Sequence, residues 1–209
     1  MSLADIRREY LGEALSETES DADPFRQFAR WFEQVRALEL DPTAMALATA
    51  TSDGRPSVRN VLLKRFDEGG FVFYTNYDSR KAREIADTGR ASLLFTWRSL
   101  ERQVRIDGAV EKVSDAESDA YFATRPLESR WGTYASQQSS VIERRHRLDA
   151  LFNAARQQYG DNVPRPSWWG GYRVVPDEFE FWQGRPNRLH DRLRYMKERG
   201  IASESGGKV

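Results

Sequence analysis

Between Met45 and Val113 the chain runs as short segments rich in β-branched, aliphatic and aromatic residues, broken by turn signals, and this pattern limits the fold more than any other feature. The segments are MALATAT from Met45, SVRNVLLKRF from Ser57, FVFYTN from Phe71, ASLLFTW from Ala91 and RQVRIDGAVEKV from Arg102. Turns at Ser52-Asp53-Gly54-Arg55 and from Asp67 to Gly70 join the first three as an antiparallel meander. A short helix from Ser79 to Asp87 leads to the fourth, for a sheet of about five strands. Further along, GGYRVVP, EFEFWQG and RLHDRLRYM read as three strands that would complete a closed barrel.

Helices flank this sheet. Asp23 and Pro24 form an N-cap and first-turn pair, after which Phe25, Phe28, Phe32, Val35 and Leu38 recur at helical spacing, so an aromatic stripe is to be buried. Ser114 and Glu117 make a capping box for the helix DAESDAYFATR, which Pro126 ends. Another helix runs from about Val141 to Tyr159 and stops at Gly160. The acidic, small residues 13–23 read as a flexible link, making 1–23 an N-terminal arm able to act as a lid. Residues 24–200 form one domain, and the small, polar, glycine-rich 201–209 an expected disordered tail.

Thirty-two basic residues balance 32 acidic ones, which argues against a nucleic-acid partner held by a positive field. Cysteine is absent, so disulfides, thiolate catalysis and cysteine metal sites are excluded. The two histidines, His146 and His190, form no metal motif, and no metal is expected. The N-terminus lacks an apolar leader and no apolar run spans a bilayer, so the expectation is a cytoplasmic protein without a membrane partner.

Several residue groups suit anion chemistry, each with an ordinary reading beside it. Arg80 and Lys81 open a helix behind Ser79, where backbone N–H groups and the helix dipole favour a phosphate; alone they also describe a capped surface helix. Arg59 and Lys64, five apart, would face opposite ways in a regular strand, so one pocket uses both only through a bulge, a strand lying between two ligands, or a dimer. Arg188, His190 and Arg192 alternate, so an extended chain puts all three on one face, as an anion clamp or a solvated strand face. Tyr121 and Arg125 share a helical face, with Ser129 beyond Pro126, a set suited to a phosphate monoester or to core packing and helix-end charge. Trp182 differs in parity from Phe179 and Phe181, so these rings cannot all face one way.

RREY at 7–10, RNVLLK at 59–64, YTN at 74–76, SRKA at 79–82, LERQVR at 100–105, QSS at 138–140, and FWQG with RLHDR at 181–192 occur in order. Together they make the chain, from about Ile6 to Tyr195, resemble the pyridoxamine 5'-phosphate oxidase family. The resemblance implies a mainly β chain with flanking helices, folded as an FMN-binding split β-barrel of Greek-key-like antiparallel form. It implies a homodimer with FMN at the interface, oxidising pyridoxamine or pyridoxine 5'-phosphate to pyridoxal 5'-phosphate while O2 becomes H2O2. FMN contacts would come from Arg59, Asn60, Val61, Leu62, Leu63, Lys64, Tyr74, Thr75, Arg80, Lys81, Gln103, Gln138, Ser139, Trp182 and Arg192. Substrate contacts would come from Lys64, Tyr121, Arg125, Ser129, Arg188, Leu189 and His190, with Arg7, Arg8, Glu9 and Tyr10 as a closing arm. Arg188 and His190 are the candidate catalytic residues. Another split-barrel flavin reductase, or a noncatalytic pyridoxal phosphate binder, would share part of this set. The end KERGIASESGGKV departs from the family, whose members typically continue through a tryptophan to Arg-Leu-x-Pro.

Overall fold

A computed structural model of the chain describes residues 2–5 and 9–197; the expected arm residues Arg7 and Arg8 and the tail 201–209 lie outside these. Period-two burial produces the strands. In β1 (Ala44–Ala50) Met45, Leu47 and Thr49 point inward, and in β5 (Arg90–Trp97) Ala91, Leu93, Phe95 and Trp97 do. The other strands are β2 (Pro56–Leu62), β3 (Arg65–Asp67), β4 (Gly70–Asn76), β6 (Arg102–Lys112), β7 (Trp169–Gln183) and β8 (Asp191–Met196). They form one antiparallel sheet in the order β2-β1-β5-β6-β7-β4-β3. β7 is its spine: β6 lies along one edge, while on the other β4 pairs with residues 169–174 and β8 with 178–183.

The sheet closes on itself through the chain. β2 and β3 are its two ends, yet only Leu63 and Lys64 separate them. Leu63 N donates to Thr43 O at 2.9 Å and Lys64 N to Val72 O at 2.8 Å, so one peptide step transfers the backbone from the β1 side to the β4 side.

Helix α1 (Pro24–Val35) plugs this barrel. Asp23 Oδ1 accepts from Phe25 N at 2.8 Å, and Phe28, Trp31 and Val35 are buried. Phe28 lies edge-on to Phe66, Phe71 and Phe95 at 4.9–5.0 Å. Leu38, expected on the buried stripe, lies beyond the helix and is exposed. Segment 9–23 is hydrogen-bonded to the body: Leu11 N and Gly12 N donate to Glu101, Leu15 N to Asp191, and Tyr195 Oη to Asp21 O.

Three expectations are corrected. GGYRVVP and EFEFWQG are one strand, because Pro176 falls at a β-bulge opposite Gly108 where a missing N–H costs nothing. A Cβ on Gly108 would sit 2.2 Å from Val175 O, and the extra residue, Asp177, is held by both oxygens to Arg90 at 2.7 and 2.9 Å. Pro126 does not only end α3 (Asp115–Thr124): it stands at the N-cap position of a further helix, α4 (Leu127–Ala135), where its carbonyl accepts the Arg130 N–H at 3.1 Å and its missing N–H is not needed. The next helix, α5, is shorter than expected, spanning Arg145–Tyr159. Helices α3 to α5 make a second core of Phe122, Trp131, Ala155, Val163 and Trp169 against the start of β7.

Because Phe28 is fully buried where α1 meets the barrel, Phe28→Ala should lower the unfolding free energy by about 3–5 kcal/mol. Urea denaturation with an unchanged m-value measures this; a loss below about 1 kcal/mol would show that α1 does not support the barrel.

Candidate functional site

Helix α2 (Arg80–Thr88) begins at the edge of the cavity that matters most. This cavity, about 1050 Å³, lies between the barrel and the α3–α4 layer. Its wall comes from β2, the Lys64 corner, the end of β4, the start of α2, Tyr121, Arg125, Ser129, Gln138, Ser139 and Trp169. Arg59 and Lys64 both line it, because the β2 to β3 corner breaks the strand between them and cancels their parity difference. Leu63, expected among the flavin contacts, instead turns into the barrel core.

At one end Lys81 is buried, its Nζ donating to Thr75 Oγ1 at 3.1 Å, Ser79 Oγ at 3.2 Å and Gln138 Oε1 at 3.3 Å. Burial, helped by the neighbouring Arg59 guanidinium, lowers its pKa to about 8. Arg80 N donates to Ser139 Oγ at 3.1 Å, so that helix N–H is already engaged. Behind both lies Glu84, a residue for which the sequence offers one signal, its position four after Arg80. Burial alone would raise its pKa, but hydrogen bonds from Ser57, Thr49 and Arg80 hold it at about 2, so it is ionised.

At the other end an aromatic wall forms. Tyr74 and Tyr121 stack at 3.9 Å and 15°, and Trp169 lies 5.5 Å from Tyr74 at 14°. The Arg125 guanidinium sits 4.6 Å over the Trp169 ring and donates to Thr133 Oγ1 at 2.8 Å. Burial raises the Tyr121 phenol, which therefore keeps its proton as a hydrogen-bond donor. Trp169 lay outside the sequence expectations, because SWWGG carries no periodic or charge signal.

The remaining expected residues are elsewhere. Gln103, Trp182 and Arg192 lie side by side across β6, β7 and β8, and none lines the cavity. Tyr10 is edge-on to Trp182 at 5.7 Å and to His190 at 5.1 Å; Glu9 is exposed. Arg188, His190 and Arg192 do not share a strand face: residues 186–188 form a 3-10 turn with Asn187 and Arg188 at φ 56° and 62°, and the strand starts at Asp191. Arg188 and Leu189 are exposed. His190 Nδ1 accepts the Arg185 backbone N–H at 3.0 Å, so the neutral ring carries its proton on Nε2. The chain thus keeps two residue groups, one lining the cavity and one on the outer sheet face.

A larger cleft of about 1640 Å³, between the start of α1, the bulge and the end of β8, contains none of these residues. Among the described residues no group of three or more His, Asp or Glu side chains is placed to hold a metal, and no helix is long and apolar enough to cross a membrane.

Residues 31–159 match the family model described as pyridoxamine 5'-phosphate oxidase, and 169–206 match that of the pyridoxine 5'-phosphate oxidase C-terminal dimerisation region. A pyridoxine/pyridoxamine 5'-phosphate oxidase of Burkholderia cenocepacia (strain HI2424) is 56% identical over 203 residues, 97% of this chain and 95% of that protein. One from Gloeothece citriformis (strain PCC 7424) is 58% identical over 196 residues, 93% and 92% of the two. PhzG from Burkholderia lata 383, solved in complex with tetrahydrophenazine-1-carboxylic acid, superposes with a TM-score of 0.85 at 35% identity, covering 90% of this chain and 94% of its own. A pyridoxamine 5'-phosphate oxidase-related, FMN binding protein from Nostoc punctiforme PCC 73102, at 17% identity and TM-score 0.69, shares the fold; it covers 86% of this chain and 94% of its own. With a split barrel, a matching dimerisation region and relatives aligned over nearly its whole length, the chain belongs to the pyridoxamine 5'-phosphate oxidase family.

Proposed function

We propose that this chain oxidises pyridoxamine and pyridoxine 5'-phosphate to pyridoxal 5'-phosphate, with FMN as cofactor and O2 as acceptor, giving H2O2. The observation that carries this is a single cavity with two cationic, hydroxyl-bearing ends: Arg80, Lys81 and Ser139 at one, and Lys64, Arg125, Tyr121 and Ser129 at the other. Such a cavity suits two phosphorylated ligands lying together. FMN fits the first end by donor chemistry, since Lys81, Arg80 and the start of α2 all favour a phosphate. Val58, 68% exposed, and Leu62, 40% exposed, offer its planar ring an apolar strand edge.

FMN held by Arg80, Lys81 and Ser139 would supply the two-electron acceptor that no side chain offers, with O2 as the final acceptor. The protein's part is geometric. Lys64, Arg125, Tyr121 and Ser129 hold the substrate phosphate, which leaves C4' toward the middle of the cavity and removes much of the orientational cost. His190, beside Trp182, would offer a ligand Nε2–H as a donor, since its Nδ1 already accepts the Arg185 amide. The Gln103–Trp182–Arg192 row reaches no ligand in its own chain's cavity, so we assign it to the partner subunit's, with FMN at the interface of a homodimer whose dimerisation region includes β7 and β8. Arg188 and Leu189 project from an exposed turn, free to reach substrate in the same way. The protein works in the cytoplasm on this reading. A second reading, oxidation of a carboxylated ring like the ligand of PhzG, draws on the aromatic wall and the stacked Arg125.

The purified protein should be yellow, and anaerobic pyridoxamine phosphate should bleach it. Bleaching by tetrahydrophenazine-1-carboxylic acid but not by either vitamin B6 phosphate would favour the second reading, and a colourless protein that binds pyridoxal phosphate would make it a carrier.

Replacing Arg188 by Ala should raise KM and lower kcat while flavin content stays constant, a combined loss of about 2 kcal/mol in kcat/KM. Loss of flavin with unchanged turnover per remaining flavin would move Arg188 to the cofactor.

FMN affinity should depend on Lys81. Its pKa in the flavin-free fold, about 8, lies below the ordinary lysine value. Below that pH the ammonium is ready to pair with phosphate; above it, binding must also take up a proton. Affinity should therefore fall as pH rises through about 8, by at most about tenfold per pH unit, and Lys81→Gln should flatten the profile. Fluorescence titration of flavin-free protein measures this, and an identical slope in the variant would exclude Lys81.

A further inference from the structure

Glu84 is a carboxylate buried behind the wall of a cavity lined by cations, its side chain only 3% exposed and its partners Ser57, Arg59 and Arg80 all lining that cavity. Four groups from three elements converge on it. Oε1 accepts from Arg80 Nε at 2.7 Å; Oε2 accepts from Thr49 Oγ1 and Ser57 Oγ, each at 2.5 Å, and from Arg59 Nη2 at 3.3 Å. A buried carboxylate removed from water needs such partners, and here they also orient the cations.

The two arginines are held differently. Arg59 Nη1 donates to Leu47 O at 3.0 Å and to Thr49 Oγ1 at 2.6 Å, and its Nη2 to Ser57 Oγ and Glu84. These contacts commit all four Nη hydrogens, leaving only Nε–H. Arg80 is the reverse: Glu84 takes its Nε, its side chain is 57% exposed, and among the described residues neither Nη has a hydrogen-bond partner.

We infer that Glu84 is a positioning residue for the phosphate subsite, anchoring Arg59 against β1 and gripping Arg80 by Nε so that Arg80 presents its two Nη groups to the ligand. The inference rests on reading this cavity as the FMN site. Without the carboxylate, Arg59, Arg80 and Lys81 would face one another uncompensated, and the exposed Arg80 would swing away. The direct repulsion between Glu84 and a bound phosphate is weaker than this grip, because the carboxylate's charge is already engaged by two guanidinium groups.

The test compares FMN with riboflavin, which lacks the phosphate, by fluorescence titration of flavin-free, full-length protein. Wild type should bind FMN more tightly; if it does not, the phosphate reading falls, and this inference with it. Given that preference, Glu84→Gln, which keeps the shape, should weaken FMN by about tenfold and leave riboflavin unchanged. In an Arg80→Ala background it should have little further effect on the FMN-to-riboflavin ratio, since the group it positions is gone. An unchanged ratio, tighter FMN binding, or a loss that adds fully to that of Arg80→Ala would overturn the inference. Should Glu84→Gln not fold, Ser57→Ala, which releases one side of the carboxylate, should weaken FMN alone by a few-fold; equal loss for both flavins would count against positioning.

Discussion

The peptide step from Leu63 to Lys64 is the constraint on which the rest of this molecule depends. It joins the two ends of the sheet, so closing the barrel requires no pairing between β2 and β3. It also divides the labour between neighbouring residues. Leu63 completes the core with Phe28 and Phe71, while Lys64 turns into the cavity. Barrel closure and the placing of a cation are therefore one structural event, and a bulkier or longer corner would disturb both.

The cavity then presents an electrostatic problem. Arg59, Arg80 and Lys81 lie close together at its edge, and burying cations is costly without compensation. The fold meets this in two ways: Glu84 stays ionised between the two arginines, and Lys81 has its pKa drawn down toward neutrality. An anionic ligand entering such a site meets donors held in place before it arrives, which reduces the cost of ordering them.

The outer row of Gln103, Trp182 and Arg192 raises a matter of architecture. In β6, β7 and β8 inward residues alternate with outward ones, so Phe179 and Phe181 in the core require Trp182 to face out. This outward row lies off its own chain's cavity, which suits the proposal that it meets the cavity of a second copy. The dimerisation region covering 169–206 includes two of these three strands.

Much of the fold was legible because its signals are local. Period-two alternation marked the strands, the Asp23-Pro24 and Ser114–Glu117 caps marked helix starts, and the parity of Trp182 against Phe179 and Phe181 holds in the structure. Where local signals misled, a distant partner was responsible. Pro176 reads as a strand end until Gly108 lies opposite it, and R-x-H-x-R reads as one face until the 186–188 turn breaks it. The candidate site divides in the same way. The sequence by itself determined which residues have the chemistry for anions and, through ordered motifs, the family. Only the tertiary structure decided that Arg59 and Lys64 share a cavity, that Leu63 does not, that Glu84 and Trp169 stand behind the arginines, and that Trp182 and His190 stand apart. Residue chemistry and short-range periodicity are properties of neighbouring positions, whereas a cavity is made by strands and helices far apart in the chain, whose meeting depends on how the whole sheet closes.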